Sequence, residues 1–107
     1  MSVNKVILLG YIGNDPEIRY PDKDKPIAFA SLATNESSAQ GMEKTVWHNL
    51  VFYGQLASVV ERYVKKGSQI YVEGKITTRE YDDRFNIHRT RTEIIVNFLE
   101  ILGRRSS

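Results

Sequence analysis

Residues 45–74 read T-V-W-H-N-L-V-F-Y-G-Q-L-A-S-V-V-E-R-Y-V-K-K-G-S-Q-I-Y-V-E-G, and a change of hydrophobic period inside this stretch decides the fold. From Thr45 to Tyr53 the pattern has the period of two of a β-strand. Val46, His48, Leu50 and Phe52 fall on one face, and Trp47, Asn49, Val51 and Tyr53 on the other. From Gln55 the spacing changes. Leu56, Val59, Val60, Tyr63 and Val64 recur at i, i+3, i+4, i+7 and i+8, which predicts an apolar stripe on one short helix. Lys65 and Lys66 suit the negative C-terminal end of that helix, and Gly67 is the expected left-handed cap. Strand character resumes at Ser68-Gln69-Ile70-Tyr71-Val72.

Working outward, Val3 to Leu9 is a β-rich run closed by Gly10, Gly13 and Asn14-Asp15-Pro16, a turn or bulge signal. Glu17 to Tyr20 continues that strand, and 21–26 is a polar loop bracketed by Pro21 and Pro26. Ile27 to Thr34 alternates larger and smaller residues as a curved barrel strand does, and 35–44 is a polar hairpin loop. On the C-terminal side, Gln69 to Tyr81 is broken by Gly74, a bulge signal, and His88 to Leu102 is the last strand. The 82–87 connection is polar. Three strands, one helix and two strands is the element order of the OB-fold, a five-stranded, partly open Greek-key barrel. Periodicity by itself supports a small all-β barrel with one helix.

The 107 residues fit one domain. With no cysteine, the chain has neither a disulfide framework, a thiolate metal site nor a cysteine nucleophile. No apolar run approaches the ~18 residues of a membrane span, and Met1 to Lys5 leads into a strand without a signal peptide. Net charge is only +2, so distribution carries the argument. Between Lys65 and Arg91 stand seven basic side chains (Lys65, Lys66, Lys75, Arg79, Arg84, Arg89, Arg91) against four acidic ones, and Arg104-Arg105 follow near the end. Aromatic rings on strands beside cations are the equipment for stacking flexible bases and neutralising their phosphates. A Trp in an arbitrary β-protein is more often core packing, and tyrosine is common in strands because it suits a half-buried surface. Phe85, in a polar loop, has little structural reason to be there and is read as a base clamp.

Six segments, in order, resemble the bacterial and mitochondrial single-stranded DNA-binding protein family. They are N-K-V-I-L-L-G at 4–10, G-N-D-P-E-I-R-Y at 13–20, S-L-A-T-N-E at 31–36, W-H-N-L-V-F-Y-G at 47–54, Y-V-K-K-G-S-Q-I-Y-V-E-G-K-I at 63–76 and T-E-I-I-V at 92–96. The resemblance implies an OB-fold domain over 1–103, with a short basic end at 104–107. It implies sequence-independent binding of single-stranded DNA, protecting it during replication, recombination and repair. Stacking would fall to Trp47, Tyr53 and Tyr81, and the matching basic positions are Lys5, Arg19, Lys65, Lys66 and Arg79. Lys75, Arg84, Arg89 and Arg91 are added from the basic run. His48 is assigned by the resemblance to the contact between subunits of a homotetramer.

Several positions depart from the family pattern. Ser38 stands where many members place a tryptophan, and Asn49, Gln55, Thr77 and Glu80 replace residues that are often basic. Binding weaker and less salt-sensitive per subunit than in a fully equipped member is expected. Many bacterial members continue into a Gly/Pro/Gln-rich linker and an acidic tail that recruits replication and repair proteins. Here 104–107 read R-R-S-S, and the Met1 start with this basic finish favours a tail-less natural form. The rival reading is a tail-less primosomal, replication-restart interaction protein of the same ancestry. No nucleophile has a base beside it, and His48 and His88 lie forty residues apart, so no enzyme, metal or cofactor is expected. Asp15, Glu17, Asp82 and Asp83 are read as turn residues. The expected setting is the bacterial cytoplasm, at the nucleoid, or the mitochondrial matrix after removal of a targeting segment.

Overall fold

The computed structural model describes residues 1–104. The period-two run folds into β4 (Glu43–Tyr53), whose Leu50 and Phe52 point into the core. Before it come β1 (Val6–Ile12), β2 (Glu17–Asp22) and β3 (Lys25–Ser37); after it come α1 (Gln55–Tyr63), β5 (Ser68–Asp82) and β6 (His88–Arg104). The segment expected to continue the first strand is thus a separate strand. The 13–16 turn breaks it, and both arms pair with β3, β1 through Tyr11↔Ala33 and Ile12↔Leu32, β2 through Glu17↔Phe29 to Arg19↔Ile27. Counted as one interrupted strand, they restore the five-stranded barrel.

The strand order is β1-β5-β6-β4-β3-β2, with the β1–β3 pairing closing the barrel. Among the described strands only β4 and β6 run parallel, through Leu50↔Ile94 and Val51↔Ile95. Closure brings the β1 and β3 backbones together at Gly10. A Cβ there would lie 2.1 Å from the Ala33 carbonyl oxygen, so β1 does not stop at Gly10, as its sequence suggests, but passes through it to Ile12. The register shift at Glu73/Gly74 is the bulge signalled by that glycine. Instead of the polar loop expected over 21–26, β2 and β3 form a tight hairpin that turns at 23–24.

Ile12, Leu32, Leu50, Phe52, Ile70 and Val72 fill the barrel, and α1 closes one end with Ala57 and Val60 buried and Leu56 partly so. Tyr63 is exposed, so the buried stripe is narrower than predicted. The helix also ends differently. Val64 caps it in an extended conformation, and the positive φ of Gly67 belongs to the turn after it. This is an OB-fold: a five-stranded, partly open barrel with its helix between β4 and β5. Past the expected domain boundary at 103, β6 carries on to Arg104, whereas Arg105 of the basic end lies outside the described residues.

Candidate nucleic-acid interface

Trp47 sits on the outer face of β4, opposite Ala33, and is 57% exposed. Its ring lies across Gly13. A Cβ on Gly13 would fall 2.2 Å from Trp47 Cζ3, so the six-membered edge rests on bare backbone and the rest of the indole is left to solvent. On one side a cavity of about 350 Å³ is lined by Tyr11, Gly13, Asn35, Thr45, Trp47 and Lys66, among others. On the other side lies a cavity of about 360 Å³ whose lining includes Trp47, Asn49, Ile76, Thr90, Arg91 and Thr92. The indole thus borders both cavities, which together form the Trp47 groove, with Lys66 lining the first and Arg91 the second.

The other aromatics are dispersed. Tyr53, 51% exposed, ends β4 six residues from Trp47, on the same strand face and about 20 Å away at ~3.3 Å per residue. Tyr81, 39% exposed, lies near the far end of β5 opposite Arg89, with the Arg79 guanidinium 5.6 Å from its ring centre. Phe85, 68% exposed, projects from the β5–β6 turn with Arg84 5.0 Å over its ring.

Many of the predicted cations already have partners. Arg79 and Arg91 both reach Glu93 Oε2, at 3.4 and 3.3 Å, and Glu93 is only 6% exposed. Arg89 Nε donates to Asp83 Oδ2 at 2.9 Å, while Asp83 Oδ1 accepts the Phe85 and Ile87 N–H groups. Arg89, together with those two amides, holds the Asp83 carboxyl below its ordinary value. Arg19 is bound by Glu17 and lies 5.0 Å from the Phe29 ring centre. Lys5, at the end of β1 remote from Tyr11, pairs with Glu73 at 3.4 Å. Glu73 also accepts from Tyr71 Oη, and that bond and Lys5 hold its carboxyl below the ordinary value. Lys65, Lys66 and Lys75 make no ion pair among the described residues.

Trp47, Lys66 and Arg91 are thus brought to one groove. Tyr81, Phe85, Arg79, Arg84 and Arg89 are carried on the β5–β6 hairpin, and Lys5 lies apart from both. His48 is half-buried and hydrogen-bonds Thr34 Oγ1 through Nε2 at 2.9 Å. The sequence reading left Gly13, Thr90, Thr92 and Glu93 out of the site. Only the β1–β3 closure and the 14-residue separation of Arg79 from Glu93 across the β5–β6 register bring them in. Among the described residues no helix is long and apolar enough to cross a membrane, and no three His, Cys, Asp or Glu side chains group as metal ligands.

The architecture is that of an OB-fold with one groove carrying a half-exposed indole between cations. Its family follows from comparison: residues 3–102 match the single-strand binding protein family, and the chain belongs to it. Two Neisseria meningitidis proteins, from serogroups A and B, each named single-stranded DNA-binding protein, are 41% identical over 110 residues. Those matches take in 99% of this chain and 63% of each relative, so the chain spans less than two thirds of their length. Among solved structures, a Plasmodium falciparum SSB complex with ssDNA superposes with a TM-score of 0.87 at 32% identity, covering 96% of this chain and 97% of that one.

Proposed function

We propose that this chain binds single-stranded DNA without sequence preference and shields it during replication, recombination and repair. The observation that carries the reading is the Trp47 indole, seated on Gly13 and open to solvent, between Lys66 and Arg91. A ring supported beneath and free above offers a π-face that every base can use, and cations beside it take the phosphates. The likeness to a protein solved with ssDNA supports the same polymer. Tyr53, Tyr81 and Phe85 extend the path as further stacking positions. The mechanism is non-catalytic: bases stack, phosphates are neutralised, and no bond is made or broken.

The reading includes assembly into a homotetramer. Ile7 and Leu9 on β1 and Phe98 on β6 are exposed apolar side chains, joined across β5 by Tyr71, which meets Phe98 edge-on. A face of this kind supports burial against a second copy, and several copies multiply a modest affinity per subunit. His48 is placed at a subunit contact on the strength of the family pattern. The bacterial relatives support a cytoplasmic setting.

Titration with oligo-dT while following the single tryptophan tests the function, with duplex DNA as control. Quenching by the single strand that weakens as salt rises, and none with duplex, is expected. No binding by either would sink the reading in favour of a protein-interaction module.

A further inference from the structure

Residues 65–68, which lead from the Val64 cap into β5, are held at every backbone amide. Lys65 N–H donates to Ser68 Oγ at 2.9 Å, Lys66 N–H to Asp15 Oδ1 at 2.9 Å, Gly67 N–H to Ile12 O at 2.8 Å and Ser68 N–H to Lys65 O at 2.9 Å. Two of these acceptors come from the bridge itself. The other two, Ile12 O and Asp15 Oδ1, flank Gly13, the residue beneath the Trp47 ring. One turn therefore carries the floor of the stacking platform and, through a side chain 51 residues distant in sequence, the anchor of the backbone that bears Lys66.

Asp15 is exposed, and it makes no ion pair among the described residues. A carboxylate beside an anion-binding groove repels the ligand, so the charge of Asp15 does not itself favour binding. What the Asp15 side chain adds is an acceptor aimed at the Lys66 N–H. We propose that Asp15 is a positioning residue for nucleic-acid binding. By fixing the 65–67 backbone it presents the Lys66 ammonium to the phosphate of the nucleotide whose base stacks on Trp47. This rests on the single-strand reading above. It assigns to Asp15 an effect transmitted entirely through Lys66, with no contact to the ligand. A lysine on an unpinned bridge keeps its charge but loses its place, so the phosphate contact is made at a larger entropic cost.

The test separates the acceptor from the charge. Asp15→Asn and Asp15→Ala remove the same negative charge, but only the amide of the first retains a side-chain oxygen for the Lys66 N–H. Oligo-dT titrations across a salt series, read by Trp47 fluorescence, would be run on the wild-type chain, D15N, D15A, K66Q and D15A/K66Q. Expected are D15N at least as tight as wild type and D15A weaker than D15N by roughly three- to tenfold, the range for one lost hydrogen bond. The salt slope of D15A should fall toward that of K66Q, by about 0.7 for one phosphate contact on a single strand. The double variant should bind no more weakly than K66Q, and maximal quenching should stay constant throughout. D15A and D15N binding alike, or D15A adding its full loss to that of K66Q, would overturn the proposal while leaving single-strand binding intact. Wild-type protein that fails to bind oligo-dT would overturn both.

Discussion

The Trp47 groove and the β5–β6 hairpin are both built from aromatics and cations, yet they are prepared for a ligand in opposite ways. In the groove the backbone is pinned and the Lys66 side chain has no acidic partner among the described residues. On the hairpin the side chains are engaged with one another: Arg79 with Glu93, Arg89 with Asp83, and His88 between Glu80 and Asp82 at 3.1 and 3.3 Å, while Arg91, at the groove, shares Glu93 with Arg79. A phosphate arriving at Lys66 displaces water. One arriving at Arg89 must also compete with a carboxylate, which reduces the net gain of the contact. Seven basic residues between 65 and 91 therefore overstate the cationic field, and the difference between the regions lies in who already holds each charge.

The largest effect should come from the platforms. Trp47 rests on Gly13, whereas the exposed Phe85 ring has the Arg84 guanidinium 5.0 Å from its centre. Trp47→Ala is expected to weaken oligo-dT binding toward the upper part of the ~1–3 kcal/mol that stacking contributes per base, and Phe85→Ala by less than about 1 kcal/mol. Anisotropy of a labelled oligonucleotide measures both without relying on the tryptophan. Equal losses would mean that the pre-seated ring carries no advantage.

Next in size is the floor itself. A Cβ at Gly13 would lie 2.2 and 2.4 Å from Trp47 Cζ3 and Cη2, so the indole must leave its place. Gly13→Ala should cost roughly two- to tenfold in affinity, in line with an off-rotamer penalty of ~0.5–1.5 kcal/mol. The Trp47 emission of the free protein should shift as well. Unchanged emission with full affinity would show that the ring is not held by this turn.

How much of this was legible beforehand follows from the range of each signal. The strand at 45–53, the helix after it and the Gly74 bulge rest on patterns a few residues long, and they stand in the structure. The extension of β1 through Gly10 to Ile12 was hidden, because a glycine followed by Gly13 and Asn14-Asp15-Pro16 looks like a turn until β3 is laid beside it. Trp47 was legible as a candidate. Glu93 was not, since Arg91 stands two residues away on β6 but Arg79 comes from β5, in a register that no local pattern specifies. Asp15 read as a turn former, and its bond to Lys66 exists only once barrel closure brings residues 12–15 against 64–67.

Charge removal sharpens the contrast at the next level. Lys66→Gln should lower the slope of log affinity against log salt by about 0.7, the value for one single-strand phosphate contact. Arg89→Gln should lower it by less than half as much, since Asp83 already compensates Arg89. Paired titrations over the same salt range decide this, and equal slopes would erase the distinction between free and committed cations.

The smallest effect is a change of pH, read at the hairpin. The Asp83 carboxyl is held below the ordinary aspartate value of 3.8, first by Arg89 and then by the Ile87 and Phe85 amides. A depressed carboxyl stabilises the turn fully above its unfolded value, and that contribution disappears as pH falls through the lower folded value. The hairpin should thus be indifferent between pH 7 and 5 and loosen only below about 3.8, when protonation releases Arg89 and the two amides. Amide shifts of Phe85 and Ile87 followed by NMR should inflect in that acidic window, and Asp83→Asn should abolish the inflection. A midpoint above 3.8 would mean that Arg89 is not bound to Asp83 in solution, and would return Arg89 to the set of cations free to meet a phosphate.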